Sequence, residues 1–261
     1  MNSIGHQKSL IASEAVIPIR STPSESAEMV SQLLFGECCE LLNIEGNWSY
    51  IQAINDSYQG WVDSKMLLPI SEEAIQQITA FHFVLEGGIL LEDKSLLRLA
   101  RGTAIPQFQD QKNGTLKIGS YQWIWDENIQ TTTHLDRSRL IEVAQGFLNT
   151  PYLWGGCSGF GIDCSGLTQR VFRMCGLQLP RDSSQQAKEG TAIRFGEHRE
   201  GDLAFFAKPK QERITHVGLI VDPVTIIHAS GKVRIDTFTN EGIWNEKVKT
   251  FTHQLITIQR C

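Results

Sequence analysis

The 261-residue chain has no apolar run approaching membrane-spanning length, no block of Lys or Arg, and no regular cysteine framework. Each lack removes a class of protein. A helix that crosses a bilayer needs about 20 consecutive apolar residues, so a transmembrane protein is not expected. With a formal net charge of −5 and no basic stripe, nucleic acid and anionic membrane are poor partners. Six cysteines without regular spacing, two of them adjacent (Cys38 and Cys39), do not form the pattern of an oxidised scaffold. Residues Met1 to Glu14 show no basic head followed by an apolar core. No secretory signal is therefore expected, and the expectation is a cytoplasmic protein. The remaining composition, 41% hydrophobic and 20% charged, is that of globular modules, and the length suits two or three of them.

The stretch richest in chemical information runs from Pro151 to Leu167, PYLWGGCSGFGIDCSGL. Cys164 follows glycines at 155, 156, 159 and 161. It heads a segment in which Leu167, Val171, Phe172 and Cys175 recur at the spacing of an amphipathic helix, with Gly176 as its stop. A thiol in a first helical turn sits beside unpaired backbone N–H groups, so a thiolate is expected there. The glycines would let backbone come close to whatever the sulfur attacks. A base is available in the β-branched run Ile214 to Val221, which contains His216. Asp222-Pro223 and a second run, Val224 to Ala229, complete the pattern of a hairpin. With Asp222-Pro223 as a two-residue loop, His216 lies opposite Ala229 and one position from His228. A slip of one or two residues in the loop would bring the histidines across from one another. Cys164 is thus the candidate nucleophile, His216 the candidate base and His228 the group that orients it.

Zinc is the competing use of these groups. Cys157 and Cys164 could join His216 and His228, but their spacing lies outside the usual short ligand intervals, so no metal is expected. The remaining cysteines, Cys38, Cys39, Cys157, Cys175 and Cys261, read as small buried hydrophobes. His6, His82, His134, His198 and His253 read as packing or surface residues.

Six motifs occur in order: Tyr152-x-Trp-Gly-Gly, Asp163-Cys-Ser-Gly-Leu, Leu179-Pro-Arg-Asp-Ser-Ser-Gln185, Gly201-Asp-Leu-Ala-Phe-Phe206, His216-Val-Gly and His228-Ala-Ser. Together they resemble the NlpC-type peptidoglycan peptidases, papain-like cysteine peptidases of bacteria. The resemblance covers about residues 138–261. It implies an α+β fold in which a short helical lobe carrying the cysteine packs on an antiparallel sheet carrying both histidines. It also implies that Asp163, Ser165 and Ser183 hold the D-glutamyl part of the substrate, and that Tyr152 faces the oxyanion together with backbone N–H groups near Cys164.

The front of the chain has another texture. Closely spaced short β runs break at turn residues between 14 and 70, the pattern of a small barrel. Arg20…Pro23, Leu34-Phe-Gly-Glu37, Gly46-Asn-Trp48 and Tyr58-Gln-Gly-Trp-Val62 resemble bacterial SH3-type domains. A helix is expected over 71–79. Leu96-Leu-Arg-Leu-Ala-Arg-Gly-Thr103 then echoes Val30-Ser-Gln-Leu-Leu-Phe-Gly-Glu37, which suggests a degenerate second barrel. Asp136 to Leu148 reads as a helix with Leu140, Ile141, Ala144, Phe147 and Leu148 on one face. The expected organisation is an SH3-type domain at 1–70, a second with its linker helix at 71–132, and the peptidase at 133–261.

The layout resembles that of the family's cytoplasmic members, which recycle murein peptides. In these an acid and a tyrosine of the first SH3-type domain close over the substrate's L-Ala amine. The matching stretches point to Glu28 and Tyr58, with Asp56 and Asp63 as alternatives for the acid. The expected protein is a monomeric endopeptidase without metal or organic cofactor. It would cut small murein peptides between γ-D-Glu and a diamino acid, diaminopimelate or lysine. An amidase or acyltransferase of the same fold and a non-catalytic wall-peptide binding protein are the rival readings.

Overall fold

The computed structural model describes residues 8–91, 95–109, 114–133 and 135–261; His6 and His134 lie outside them. It divides into two compact units, Met1–His134 and Leu135–Cys261.

The N-terminal unit opens with β1 (Ser9–Ala12), β2 (Val16–Arg20), β3 (Met29–Leu34), β4 (Cys38–Glu45), β5 (Trp48–Ala53), β6 (Gln59–Asp63) and β7 (Leu67–Pro69). They form one sheet in the order β3-β2-β6-β5-β4-β1-β7. Residues alternate between buried and half-buried along β2 and β5, the period-two signature of a strand with one face on a core. Ile17, Ile19, Ile51 and Val62 meet Leu10, Leu33 and Leu67 in that core. The neighbouring strands β2 and β6 approach closely at Gly60, where a Cβ would lie 2.4 Å from Ile19 Cγ2. All four residues of β1 are buried, so this strand carries no alternation by which it could be read from sequence.

Ser71 caps α1 (Glu72–Gln76) by accepting the Ala74 N–H, and the expected helix ends there because Ile78 already begins the next strand. The strands that follow are β8 (Ile78–Glu86), β9 (Gly88–Leu90), β10 (Leu96–Arg98), β11 (Ala104–Phe108), β12 (Thr115–Ile118), β13 (Tyr121–Trp125) and β14 (Gln130–Thr132). They make two small sheets, β10-β9-β13-β12 and β11-β8-β14. Gly36 and Gly102, equivalent in the two echoing segments, both turn the chain with left-handed φ of 80° and 87°. The segments differ before that turn: β3 runs for six residues, β10 for only three. Phe35 packs edge-on against Trp123 in a core shared by the two halves of this unit.

The C-terminal unit begins with a 3₁₀ turn capped by Asp136 and α2 (Leu140–Gln145). Leu140, Ile141, Ala144 and Phe147 are buried, but the helix ends before Leu148, which is exposed and does not join the apolar face. Next come β15 (Cys157–Ser158), β16 (Gly161–Ile162), α3 (Cys164–Met174), α4 (Ser183–Gln186) and β17 (Thr191–Ile193). The large sheet is completed by β18 (Leu203–Ala207), β19 (Ile214–Asp222), β20 (Thr225–Ser230), β21 (Lys232–Phe238), β22 (Gly242–Asn245) and β23 (Thr250–Arg260). Their order is β17-β23-β18-β19-β20-β21-β22. Because β22 also pairs with β23, the sheet closes into a barrel, and the unit is richer in strand than a helical lobe on an open sheet. Helix α3 is buried on every side except at Arg173 and so is not the one-faced helix its apolar spacing predicts. Its polar residues are satisfied inside: Thr168 donates to Gln186, Gln169 to the Leu179 carbonyl and Arg170 to the Cys157 carbonyl.

Candidate active site

Asp163 organises the start of α3. Its Oδ1 accepts the Gly166 N–H at 2.7 Å and its Oδ2 the Gly155 N–H at 3.0 Å, so one carboxylate caps the helix and ties down the glycine loop. A Cβ on Gly166 would lie 2.3 Å from the Gly156 carbonyl oxygen, and one on Gly156 would lie 2.4 Å from the Gly161 oxygen. The close approach made by these glycines is thus to the chain's own backbone. Helix α3 packs on β19, and the backbone N–H groups of Val217 and Ser165 favour the charged form of the Cys164 sulfur. Val217 is the neighbour of His216 on β19, so the helix-borne thiol abuts the strand that carries the candidate base.

Burial of the sulfur opposes the thiolate expected from the helix terminus. Burial, then the Asp163 charge, pushes the Cys164 thiol up to about 12, outweighing the Val217 N–H, the Arg181 guanidinium and the Ser165 N–H. His216 moves the other way: burial first, then the fields of His228 and His253, hold it well below the ordinary histidine range. Both shifts run toward the uncharged forms.

The two histidines meet through the hairpin, in a register other than the one expected. Gly218 pairs with His228 and Asp222 with Thr225, so the loop residues are Pro223 and Val224 and an irregularity falls between Ile220 and Asp222. An Ala229 partner for His216 would have turned His228 to the opposite face, because side chains alternate along a strand. In the observed register His216 and His228 share a face, diagonally across two strands, with His216 Nε2 2.8 Å from His228 Nδ1. Gly218 faces His228 directly, and a Cβ there would crowd Ile226 and His228. Two further residues escaped the sequence reading. His228 Nε2 lies 3.1 Å from Asp236 Oδ2, and Asp236 Oδ1 accepts from Arg234 at 2.6 Å. His253, expected to be a packing or surface residue, instead stacks on His216 with ring centroids 4.1 Å apart and planes at 25°. Asp236 follows His228 at strand alternation one hairpin later, a usable signal, whereas nothing in the sequence separates His253 from a surface histidine.

Tyr152 is held by its N–H to the Gly231 carbonyl and by bridging to Ile162. Burial first, then the charges of Cys164 and Asp163, push its phenol up to about 12, so it stays a hydroxyl donor. Asp163 and Ser165 are buried around Arg181, itself only 2% exposed. Arg181 donates to both Asp163 oxygens, at 3.0 and 2.6 Å, and to Ser165 Oγ at 3.0 Å. Arg181 belongs to a motif picked out in the sequence, but its place between Asp163 and Ser165 was not foreseen. Ser183 is half-buried in the first turn of α4. Cys157 lies against Arg170, whose Nη2 is 3.5 Å from its sulfur. Among the described residues no cluster of three or more His, Cys, Asp or Glu is arranged to hold a metal ion.

The remaining candidates lie in the N-terminal unit. Glu28 is exposed and Tyr58 half-buried. Asp56 Oδ1 accepts the Tyr58 N–H at 3.0 Å, and Asp63 both caps a 3₁₀ turn and pairs with Lys65 at 2.6 Å. Both alternative acids thus have local structural duties.

A cysteine at the head of a buried helix, beside a histidine supplied by a barrel-like antiparallel sheet, defines a papain-like cysteine peptidase fold. Residues 149–253 match the NlpC/P60 family and residues 19–67 match the bacterial dipeptidyl-peptidase Sh3 domain. The chain belongs to the NlpC/P60 family of cysteine peptidases, with an SH3-like N-terminal domain. It is 34% identical over 134 residues to the murein DD-endopeptidase MepS/murein LD-carboxypeptidase of Escherichia coli K12, covering 50% of this chain and 70% of that one. It is 39% identical over 126 residues to the γ-D-glutamyl-L-lysine dipeptidyl-peptidase of Bacillus subtilis 168, covering 47% of this chain and 40% of that relative. The crystal structure of an NlpC/P60 family protein from Bacillus cereus ATCC 10987 superposes with a TM-score of 0.78 at 20% identity, over 97% of this chain and 99% of that one.

Proposed function

We propose that this protein is a γ-D-glutamyl-L-diamino-acid endopeptidase, acting on murein peptides already freed from glycan and releasing L-Ala-D-Glu. The observation that carries the reading is Cys164 at the head of a helix packed on β19, the strand whose His216 is itself held by His228. In this reading Cys164 attacks the γ-linked carbonyl as its proton passes to His216. The protonated imidazole gives that proton to the departing amine. Water, with His216 as base, then hydrolyses the thioester. The Tyr152 hydroxyl and backbone N–H groups near Cys164 face the oxyanion, a kind of donor worth roughly 3–4 kcal/mol each.

Asp163, Ser165 and Ser183 form the D-glutamyl subsite. Asp163 already accepts from two backbone N–H groups and Arg181, so its share is to fix Arg181 and Ser165, donors of the kind an α-carboxylate requires. Glu28 and Tyr58 read the free L-Ala amine. The substrate named for the Bacillus subtilis relative supports this choice of bond. We read the architecture as α+β, with residues 71–132 a degenerate second SH3-type domain.

Defined peptides test the proposal. L-Ala-γ-D-Glu-diaminopimelate and its lysine counterpart are expected to yield L-Ala-D-Glu by mass spectrometry, and Cys164→Ala should yield none while keeping the wild-type circular dichroism and melting curve. Cleavage at another bond, or hydrolysis by Cys164→Ala at the wild-type rate, would overturn it.

A further inference from the structure

We propose that Asp236 is a positioning residue that sets the ring tautomers of His228 and His216 in series, leaving His216 with its lone pair on Nδ1. The inference deepens the reading of His216 as the base and rests on it. His216, His228 and Asp236 occur on three consecutive strands, β19, β20 and β21, each diagonal to the next. Strand alternation puts all three on one face, and Gly218 keeps a side chain from crowding the crossing. The contacts follow as His216 Nε2 to His228 Nδ1 at 2.8 Å and His228 Nε2 to Asp236 Oδ2 at 3.1 Å.

An ionised carboxylate only accepts, so His228 must carry its proton on Nε2. A neutral His228 then has its lone pair on Nδ1, which can only accept. His216 must therefore donate from Nε2, and a neutral His216 is bare at Nδ1. Both rings are buried and held neutral, burial being the first cause in each case. Burial pushes the Asp236 carboxyl up, but hydrogen bonds from His228 and Arg234 outweigh it and keep it below the usual carboxylate range. His253, stacked on His216, fixes the plane of that ring and is itself held neutral near 4, mainly by burial. One carboxylate thus decides, two rings away, which nitrogen can receive the Cys164 proton. The opposite tautomer would carry its proton on Nδ1 and have its one lone pair, on Nε2, taken up by His228, so it could not act as a base.

Arg234 makes the idea testable. It grips Asp236 Oδ1. In Asp236→Asn the same guanidinium would retain the amide oxygen and turn the NH₂ toward His228 Nε2. That donor inverts His228, and His228 then inverts His216. The full chain, labelled with ¹⁵N-histidine, is expected to show both His216 and His228 as Nε2–H tautomers in long-range ¹H–¹⁵N spectra at pH 7.5. Asp236→Asn should convert both to Nδ1–H and lower kcat by roughly 10³–10⁴-fold with KM changed little, the scale seen when an orienting Asp becomes Asn in a Ser-His-Asp triad. Adding Arg234→Ala lets the amide turn its oxygen back, and should restore the tautomers and at least tenfold of the lost kcat.

An Nδ1–H His216 in the wild type would overturn the inference. So would an Asp236→Asn enzyme that loses activity with its tautomers unchanged, or a double variant with no recovery. The spectra do not depend on turnover, so a wild-type chain inactive on the proposed peptides would count against the peptidase reading alone.

Discussion

The N-terminal barrel buries Ile17, Ile19, Ile51 and Val62 and keeps its ion pairs in contact with water, whereas the peptidase unit buries Arg181, Asp163, His216 and His228 beside its aliphatic core. Arg20 and Glu25 pair across 3.6 Å with side chains 20% and 70% exposed; Arg181 and Asp163 pair across 2.6 Å at 2% and 8%. The buried polar residues of the first unit are mostly serines and threonines, and its Glu37 serves the local backbone by accepting the Leu34 N–H. Those of the second unit are matched with one another: Arg181 with Asp163 and Ser165, His216 with His228, and Asp202 with Arg260. Burying charge is costly unless every donor and acceptor is matched. The difference therefore marks where the molecule exchanges ease of folding for fixed chemistry, and it can be attacked from either side.

The largest effect is expected from stripping one partner from each ion pair. Arg181→Met leaves the Asp163 carboxylate buried and uncompensated, a loss of about 3–5 kcal/mol. Arg20→Met should change stability by less than about 1 kcal/mol, as for exposed pairs generally. Urea unfolding followed separately in each unit by hydrogen exchange measures both. Equal losses in the two variants would erase the contrast.

The same contrast explains how far the sequence could be read. Strands with one wet face announce themselves by alternation, which is why β2 and β5 were legible, whereas the β19–β20 hairpin, buried on both faces, was read from its β-branched runs and the turn between them. The cysteine and the two histidines were legible because short motifs hold them. Strand β1 and helix α3 were harder, since an element buried on both faces loses its periodicity. Hairpin register turned on a one-residue irregularity near Val221, where the pattern is apolar on either side. His253 reaches the site only through strand pairing that no local window contains, whereas Asp236 lies within the β20–β21 hairpin, where strand alternation offered a signal that was not used. The thiol's charge state also lay beyond the sequence: helix-terminus N–H groups were visible there, but the burial that overrides them was not.

A second contrast should appear on acidification. In the peptidase unit burial holds His216, His228 and His253 below their ordinary range, His253 to about 4. Among the described residues of the N-terminal unit only His82 is lowered, also by burial. A histidine whose folded value is depressed binds its proton more readily when unfolded. The stability it contributes is complete above about pH 6.5 and is lost as pH falls toward the folded value. For His253 alone this is of order 3 kcal/mol. Hydrogen-exchange protection, corrected for intrinsic rates, should fall between pH 7.5 and 5 in β19 to β21 and stay nearly level in β4 to β6. A fall of the same size in both units would mean that the buried histidines are not what acid attacks.

The smallest effect asks whether the N-terminal unit takes part in the reaction at all. If Glu28 meets the L-Ala ammonium, the pair is a partly solvated one, worth about 1 kcal/mol or roughly a five- to tenfold change in binding. Glu28→Gln should then raise KM by that factor and leave kcat within about twofold, since the bond being cut lies in the subsite of the other unit. Acetylating the L-Ala amine should impose at least the same penalty on the wild type. It should hurt Glu28→Gln less, because the charge pair is already gone. The informative quantity is this non-additivity, read as a cycle of two enzymes and two peptides. Losses that simply multiply would show that Glu28 and the amine do not meet, and would return the tetrad of Asp56, Tyr58, Asp63 and Glu28 to the status of surface groups on a barrel.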